Sequence, residues 1–301
     1  MRVLVTGSTG YIGSAVVRAL IKGGHDVTGL VRSADKAAAL ESLGATCLRG
    51  DLRDPGSYRD TASEHDALVH IGFEYGPEGV SIDRKAVEAL LDSARKGSKP
   101  RTFVYTSGVL CLGNTGDKPA DESAPANAIP MVAWRPAIEK LALYGATDTL
   151  ATAVIRPGFV YGGPKGLLAG YFESAMKTGA AAYVGDGQNR MALVHRDDLA
   201  ALYRLVIEKH ARGIFHGVDG SALRIGEVAR GASEAAGKAG VTKGIALEEA
   251  RQIMGPYADA LCTHQVVAAK RSAERLWMPT RKRPLDAMAE EFRDWKESIG
   301  R

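Results

Sequence analysis

The chain opens with MRVLVTGSTGYIG, residues 1–13, and the reading of this stretch decides the fold. Residues 2–7 form a short apolar run rich in valine, the pattern of a buried strand. From Tyr11 the apolar residues recur near i, i+3 and i+4 as far as Lys22, which is a helical period. Between the two stand Gly7, Gly10 and Gly13. Gly7 suits a tight turn, Gly10 lets backbone approach an anion, and Gly13 lets the helix pack closely on the strand. The helix start then offers amide donors and the positive end of its dipole. A strand, a glycine loop and a helix in that order predict a dinucleotide-phosphate cradle, lined also by Thr9, Tyr11 and Ile12.

Outward from this unit the same rhythm repeats. Apolar runs at 26–32, 46–51, 67–72, 101–107 and 151–157 predict strands, and helical patterns at 34–43, 81–96 and 137–144 lie between them. Alternation of that kind implies an α/β fold: a Rossmann-type, doubly wound parallel sheet covered on both faces. After Pro157 the rhythm breaks at RPGFVYGGPKG, residues 156–166. One late apolar run, 213–218, predicts a further strand, and helical patterns dominate from 225. The expected division is a dinucleotide-binding domain at 1–160, rejoined by 190–220, and a smaller, mostly helical C-terminal substrate lobe at 161–189 and 221–301.

Composition excludes several classes. The 301 residues exceed one domain of ~150 and can bury a full core. Net charge is only +4 and spread along the chain, which argues against nucleic acid as a partner. The basic run RKRP, 281–284, is read as a solvated loop. Cys47, Cys111 and Cys262, odd in number and irregular in spacing, suggest neither disulfides nor a metal site. No signal-peptide pattern and no apolar window of ~20 residues is present, so the expectation is a soluble, cytoplasmic protein with no membrane partner.

The glycine spacing is G-x-x-G-x-x-G. With Asp51-Leu52 after the third strand, His70-Ile71-Gly72 after the fourth, YTSG at 105–108, RPGFVYG at 156–162 and LVHRDDLA at 193–200, the chain resembles the extended and atypical short-chain dehydrogenase/reductases. This group is often labelled NAD-dependent epimerase/dehydratase, and the resemblance runs from Met1 to about residue 200. It implies that Asp51 and Leu52 hold an adenine ring and that Ile71 and Gly72 pass beneath ribose and phosphates. Pro157, Gly158 and Val160 would approach the nicotinamide, with Thr106 and Arg135 as further cofactor contacts. It also leaves a homodimer open, because the fourth and fifth helices often pair in relatives.

The second strand ends in GLVRS, residues 29–33. Where an NAD-preferring site usually has an acid for the ribose hydroxyls, this chain has Val31, followed by Arg32. A guanidinium suits a 2′-phosphate, and no acid is expected beside it to compete, so NADP is preferred over NAD.

The resemblance also implies a serine or threonine after the fifth strand, and a tyrosine with a lysine four residues on. Aligning YTSGVLCLG places Gly108 at the hydroxyl position, and aligning MVAWRPAIEK, 131–140, through Glu139 places Met131 for tyrosine and Arg135 for lysine. A thioether cannot give a proton, and a guanidinium is a poor acid that can still hold ribose hydroxyls. The one Tyr-x-x-x-Lys, YGGPK at 161–165, contains helix-breaking residues. Proton donors are therefore expected on loops at the carboxyl ends of strands, with Tyr75 and Tyr161 best placed, and Arg135 in the site. His195, which titrates near neutrality, is weighed for a catalytic role, but the matching family segment is structural around its aspartate, here Asp198, and Trp134 is read as a pocket or helix-packing aromatic.

These expectations converge on an NADP(H)-dependent oxidoreductase with a small or medium organic carbonyl or conjugated carbonyl as substrate. The alternatives are an NADP-binding sensor or scaffold without turnover and a nucleotide-sugar epimerase or dehydratase.

Overall fold

A computed structural model describes residues 1–96, 98–274, 277–281 and 283–300; Lys282 of the RKRP run lies outside them. The main sheet is built from β1 (Arg2–Thr6), β2 (Asp26–Val31), β3 (Thr46–Arg49), β4 (Ala67–His70), β5 (Arg101–Thr106), β6 (Leu150–Pro157) and β7 (Gly213–Gly217). Its order is β7-β6-β5-β4-β1-β2-β3, and β1 to β6 pair in parallel. Chain order reverses between β1 and β4, which opens a crevice beyond their carboxyl ends. The doubly wound parallel sheet read from the alternating pattern is the one observed.

The helices form where amphipathic periods predict them. In Tyr11–Lys22, Ala15, Val16, Val17 and Leu20 are buried, and the face they form lies against the sheet. The helix Arg135–Tyr144 starts two residues before the predicted 137, because Pro136 lies in its first turn, where no intrahelical amide is needed. Leu4, Leu68, Phe103, Tyr105, Val154 and Ile138 meet in one core. At roughly 1.5–3 kcal/mol for each large apolar side chain buried, such a core is what holds the sheet against chain entropy.

The chain divides into two compact units. The first comprises 1–107, 134–156 and 199–215, and the second 108–133, 157–198 and 216–301. In the second, Leu168, Phe172, Val228, Met288 and Trp295 share a core. Helices predominate there, but Ala181–Val184 pairs with Thr242–Ile245 and Gly116–Ala120 with Gln265–Val267. Strands after 225 were not predicted: segments of three or four residues are too short to show a period. No helix among the described residues is long and apolar enough to cross a membrane.

His65 joins the first unit's folding to pH. Its Nδ1 donates to the Thr61 carbonyl at 2.8 Å and its Nε2 lies 2.9 Å from Thr28 Oγ1. Burial lowers its pKa, against a smaller upward effect of the Thr61 bond. A depressed folded pKa means that the stabilising contribution is present above the unfolded value of about 6.5 and is lost as pH falls through the folded value. We expect urea midpoints to fall below pH 6.5 in the wild type and to fall less in His65→Gln; parallel pH profiles would show that His65 is not responsible.

Candidate functional site

The glycine loop is built as a cradle. Gly7 has φ +66°, and a Cβ there would lie 2.6 Å from Gly72 Cα, so the ends of β1 and β4 approach as only glycine permits. At Gly13 a Cβ would sit 2.8 Å from Gly7 C and nearer still to its oxygen. Gly10 donates its N–H to Gly7 O at 2.9 Å and caps the helix without a side-chain bond, and no acid occupies the first turn. An anion at this helix start would therefore meet donors and a favourable dipole.

A cleft of about 440 Å³ extends from the loop. Around it the fold brings together Gly7, Thr9, Gly10, Tyr11, Ile12, Gly13, Arg32, Asp51, Leu52, Ile71, Gly72 and Tyr75. Asp51 has two connections: it lines the cleft, and its Oδ1 also accepts from the Arg53 amide at 2.9 Å, capping the following turn. Lys36, Phe73 and Glu74 line the same cleft and were missed by the sequence reading. Lys36 lies in the first turn of the helix Ala34–Glu41, four residues after Arg32, which precedes the helix cap Ser33.

Glu74 corrects one expectation. The sequence suggested no acid beside Arg32, yet Arg32 Nη1 lies 3.0 Å from Glu74 Oε2 and Arg53 Nη2 lies 3.1 Å from Glu74 Oε1. The loop after β4 carries this carboxylate to the end of β2, a meeting of residues 42 apart in the chain.

Arg135 sits in an aromatic and hydrogen-bonded setting. Its guanidinium carbon lies 4.5 Å from the Trp134 ring centre and 5.4 Å from that of Phe73, and the two rings stack 5.2 Å apart. Trp134, read as a pocket or helix-packing aromatic, is a platform for the cation. Arg135 Nη1 donates to the Thr106 carbonyl at 3.1 Å and reaches the Tyr105 hydroxyl at 3.5 Å. Tyr105 donates to Asp83 Oδ2 at 2.9 Å, Asp83 Oδ1 lies 3.2 Å from His70 Nε2, and His70 Nδ1 lies 2.7 Å from Thr6 Oγ1. That oxygen accepts the amides of Ile71 and Gly72 at 3.3 and 3.2 Å. Burial, then the Asp83 charge, pushes the Tyr105 phenol well above its ordinary range. The chain of bonds ties the floor of the cleft to Arg135 through groups that are almost fully buried. Thr106 itself bonds through Oγ1 to Tyr203 at 2.7 Å.

The NAD dependent epimerase/dehydratase family matches over residues 3–217. The chain belongs to that family. Among relatives, the uncharacterized protein YLL056C of Saccharomyces cerevisiae is 36% identical over 239 residues, covering 76% of this chain and 78% of that protein. The 2-alkyl-3-oxoalkanoate reductase of Stenotrophomonas maltophilia is 29% identical over 229 residues, covering 71% and 67% respectively. In structure, the chain is similar to the human epimerase family protein SDR39U1 (isoform 2), solved with NADPH, at a TM-score of 0.81 and 21% identity, over 97% of this chain and 99% of that one. The likeness at that identity is one of fold.

The remaining predicted residues of this family member are placed as follows. Tyr75 is exposed on the cleft, edge-on to Phe73 with ring centres 5.2 Å apart. Met131 lies in the single turn Pro130–Val132, before the helix that Arg135 opens. Pro157, Gly158 and Val160 belong to the second unit, where Gly158 N–H donates to Gly217 O at 2.9 Å and a Cβ on Gly158 would meet Ala192. Tyr161 is buried there, its hydroxyl donating to Asp219 Oδ2 at 3.5 Å. Burial first, then Asp219, raises the Tyr161 pKa far above the usual phenol range. His195 packs edge-on to Tyr161, accepts the Asp197 amide on Nδ1 at 3.1 Å and faces Glu291 Oε1 at 3.3 Å through Nε2. Asp198 accepts from Thr280 and from the Arg281 amide, the bonds of an organising carboxylate.

Proposed function

We propose that this chain is an NADP(H)-dependent oxidoreductase acting on a small or medium organic carbonyl or conjugated carbonyl compound. The observation that carries it is the continuous cleft from the glycine cradle to the cations Arg32 and Lys36. The cradle fits a pyrophosphate: side chains at Gly7 or Gly13 would collide with the backbone of Gly72 and Gly7, so the loop closes as only glycine permits, and the helix start behind it carries no acid in its first turn. In this reading Asp51 and Leu52 hold adenine, Arg32 the 2′-phosphate, and Ile71 and Gly72 the floor. Thr106, Pro157, Gly158 and Val160 serve the nicotinamide end. When bound, the nicotinamide supplies or accepts a hydride.

A guanidinium is a poor acid, so Arg135 is assigned to holding a ribose hydroxyl or an anionic oxygen and not to delivering a proton. Its tether to Thr106 O and Tyr105 orients the guanidinium. Tyr75, on the cleft, is the favoured proton donor; Tyr161 is the weaker one, because a buried phenol bonded to Asp219 resists ionisation. Hydride addition to a conjugated alkene leaves a delocalised enolate, which demands less of a proton donor than a simple alkoxide does. The named activity of the Stenotrophomonas relative supports carbonyl reduction.

A second reading, an NADP-binding sensor, draws on the helix Arg135–Tyr144, which carries no Tyr-x-x-x-Lys. Epimerase or dehydratase chemistry on a nucleotide sugar is compatible with the family and ranks third, since it leans on that same pair. Isothermal titration with NADPH, NADP and NADH, followed by NADPH absorbance over a panel of enones and ketones, separates the readings. Arg32→Ala should weaken NADPH binding about 10- to 100-fold, the worth of roughly 1.5–3 kcal/mol for bonds to a charged group, and spare NADH. Tyr75→Phe should lower turnover about 100-fold, the contribution of a general acid. Binding without turnover selects the sensor, and no binding overturns the proposal.

A further inference from the structure

We propose that Glu74 is the residue that sets how strongly the site discriminates a phosphorylated from an unphosphorylated adenosine ribose, because its carboxylate holds the two guanidiniums a 2′-phosphate would claim. The inference rests on the reading of Arg32 as the phosphate contact given above. Glu74 bridges Arg32 at 3.0 Å and Arg53 at 3.1 Å, one oxygen to each. Both arginines are about half exposed, whereas the Glu74 side chain is only 22% exposed, so the carboxylate is the seated partner of the three.

Its seat is built by neighbours on either side. Phe73 is fixed by stacking on Trp134, and Tyr75 packs edge-on against Phe73. Gly79 lies beneath the Glu74 carbonyl so closely that a Cβ there would collide with it. These contacts fix the backbone on either side of Glu74, and the carboxylate itself is held by the two guanidiniums.

The consequence follows from charge. Arg32, Lys36 and Arg53 carry three positive charges at this end, against the two carboxylates of Glu74 and Asp51, and of these two only Glu74 bridges the arginines. A 2′-phosphate, acceptor-only like the carboxylate, takes the same donors in place of Glu74, which must then give up both bonds beside a second anion. An unphosphorylated ribose leaves the bridge intact and meets a carboxylate able to accept from its hydroxyls. Glu74 therefore weakens the phosphorylated ligand and favours the unphosphorylated one, and the site accepts both nicotinamides with a moderated preference for the phosphate.

Adenosine 2′,5′-bisphosphate and AMP isolate this end of the site from the nicotinamide. We would titrate both into the full-length protein and into Glu74→Gln and Glu74→Ala, calorimetrically and at two salt concentrations. The expected result is an affinity ratio of bisphosphate to AMP at least ~5-fold higher in both variants, with a steeper salt dependence, as an added net positive charge requires. A wild-type preference for the bisphosphate that is unchanged or reduced in the variants overturns the role of Glu74 and leaves the phosphate reading standing. No preference in the wild type, with one gained in the variants, supports Glu74 as the barrier and shows that the native site is not an NADP site. No preference in any form removes both.

Discussion

Gly13→Ala is expected to reduce affinity for NADP and NAD alike by on the order of a hundredfold. The added Cβ would sit 2.8 Å from Gly7 C and closer to its carbonyl oxygen, and backbone cannot swing aside as a flexible side chain can. Overpacking of this kind costs roughly 3 kcal/mol. The loop must move, and the distance between helix start and bound pyrophosphate goes with it. Gly10→Ala is the graded control, since its Cβ would lie 3.1 Å from Gly7 O, a contact that a shift of a few tenths of an ångström relieves. Calorimetry on both variants, with circular dichroism to confirm folding, checks the order. Equal losses for the two would mean that phosphate approach and not helix packing limits the site.

Glu139→Ala should be the most destabilising substitution of a single charge in the first unit, costing about 3–5 kcal/mol in urea unfolding. Arg156 on β6 donates Nε to Glu139 Oε1 at 2.8 Å and Nη2 to Oε2, and both side chains are almost fully buried. Removing the carboxylate strands a guanidinium in the interior. The pair itself contributes little against an apolar substitute, because two desolvated charges offset most of their attraction. Replacing both, as Glu139→Leu with Arg156→Met, should therefore recover most of the loss. A double variant as unstable as the single one would show that the bidentate geometry itself docks the helix Arg135–Tyr144 on the sheet.

The legible part of this protein was the local part. The strand, glycine and helix order at residues 1–13 was readable because its three ingredients are contiguous and each answers to a short-range rule of sterics or periodicity. The same holds for the strands up to β6 and for Arg32, which takes its place from the end of β2 alone. What escaped was short or distant. Thr242–Ile245 and Gln265–Val267 are strands because of the partners they meet, residues 181–184 and 116–120 respectively, and nothing within them shows an alternation.

The sequence by itself determined a doubly wound, nucleotide-type fold, which needs only hydrophobic period and glycine spacing, and a resemblance to the epimerase/dehydratase family, which needs the ordered motifs at 51–52, 70–72, 105–108, 156–162 and 193–200 as well. Only the tertiary structure decided which charges share the cleft. Glu74 reaches Arg32 across 42 residues, and Thr6 reaches His70 across 64 on the way to Asp83, Tyr105 and Arg135. It also placed Tyr75 on the cleft and buried Tyr161 against Asp219. Periodicity reports how a segment meets its own neighbours along the chain, whereas hydrogen bonds and charges act through space between segments, so their partners appear only when the sheet has brought the strand ends together.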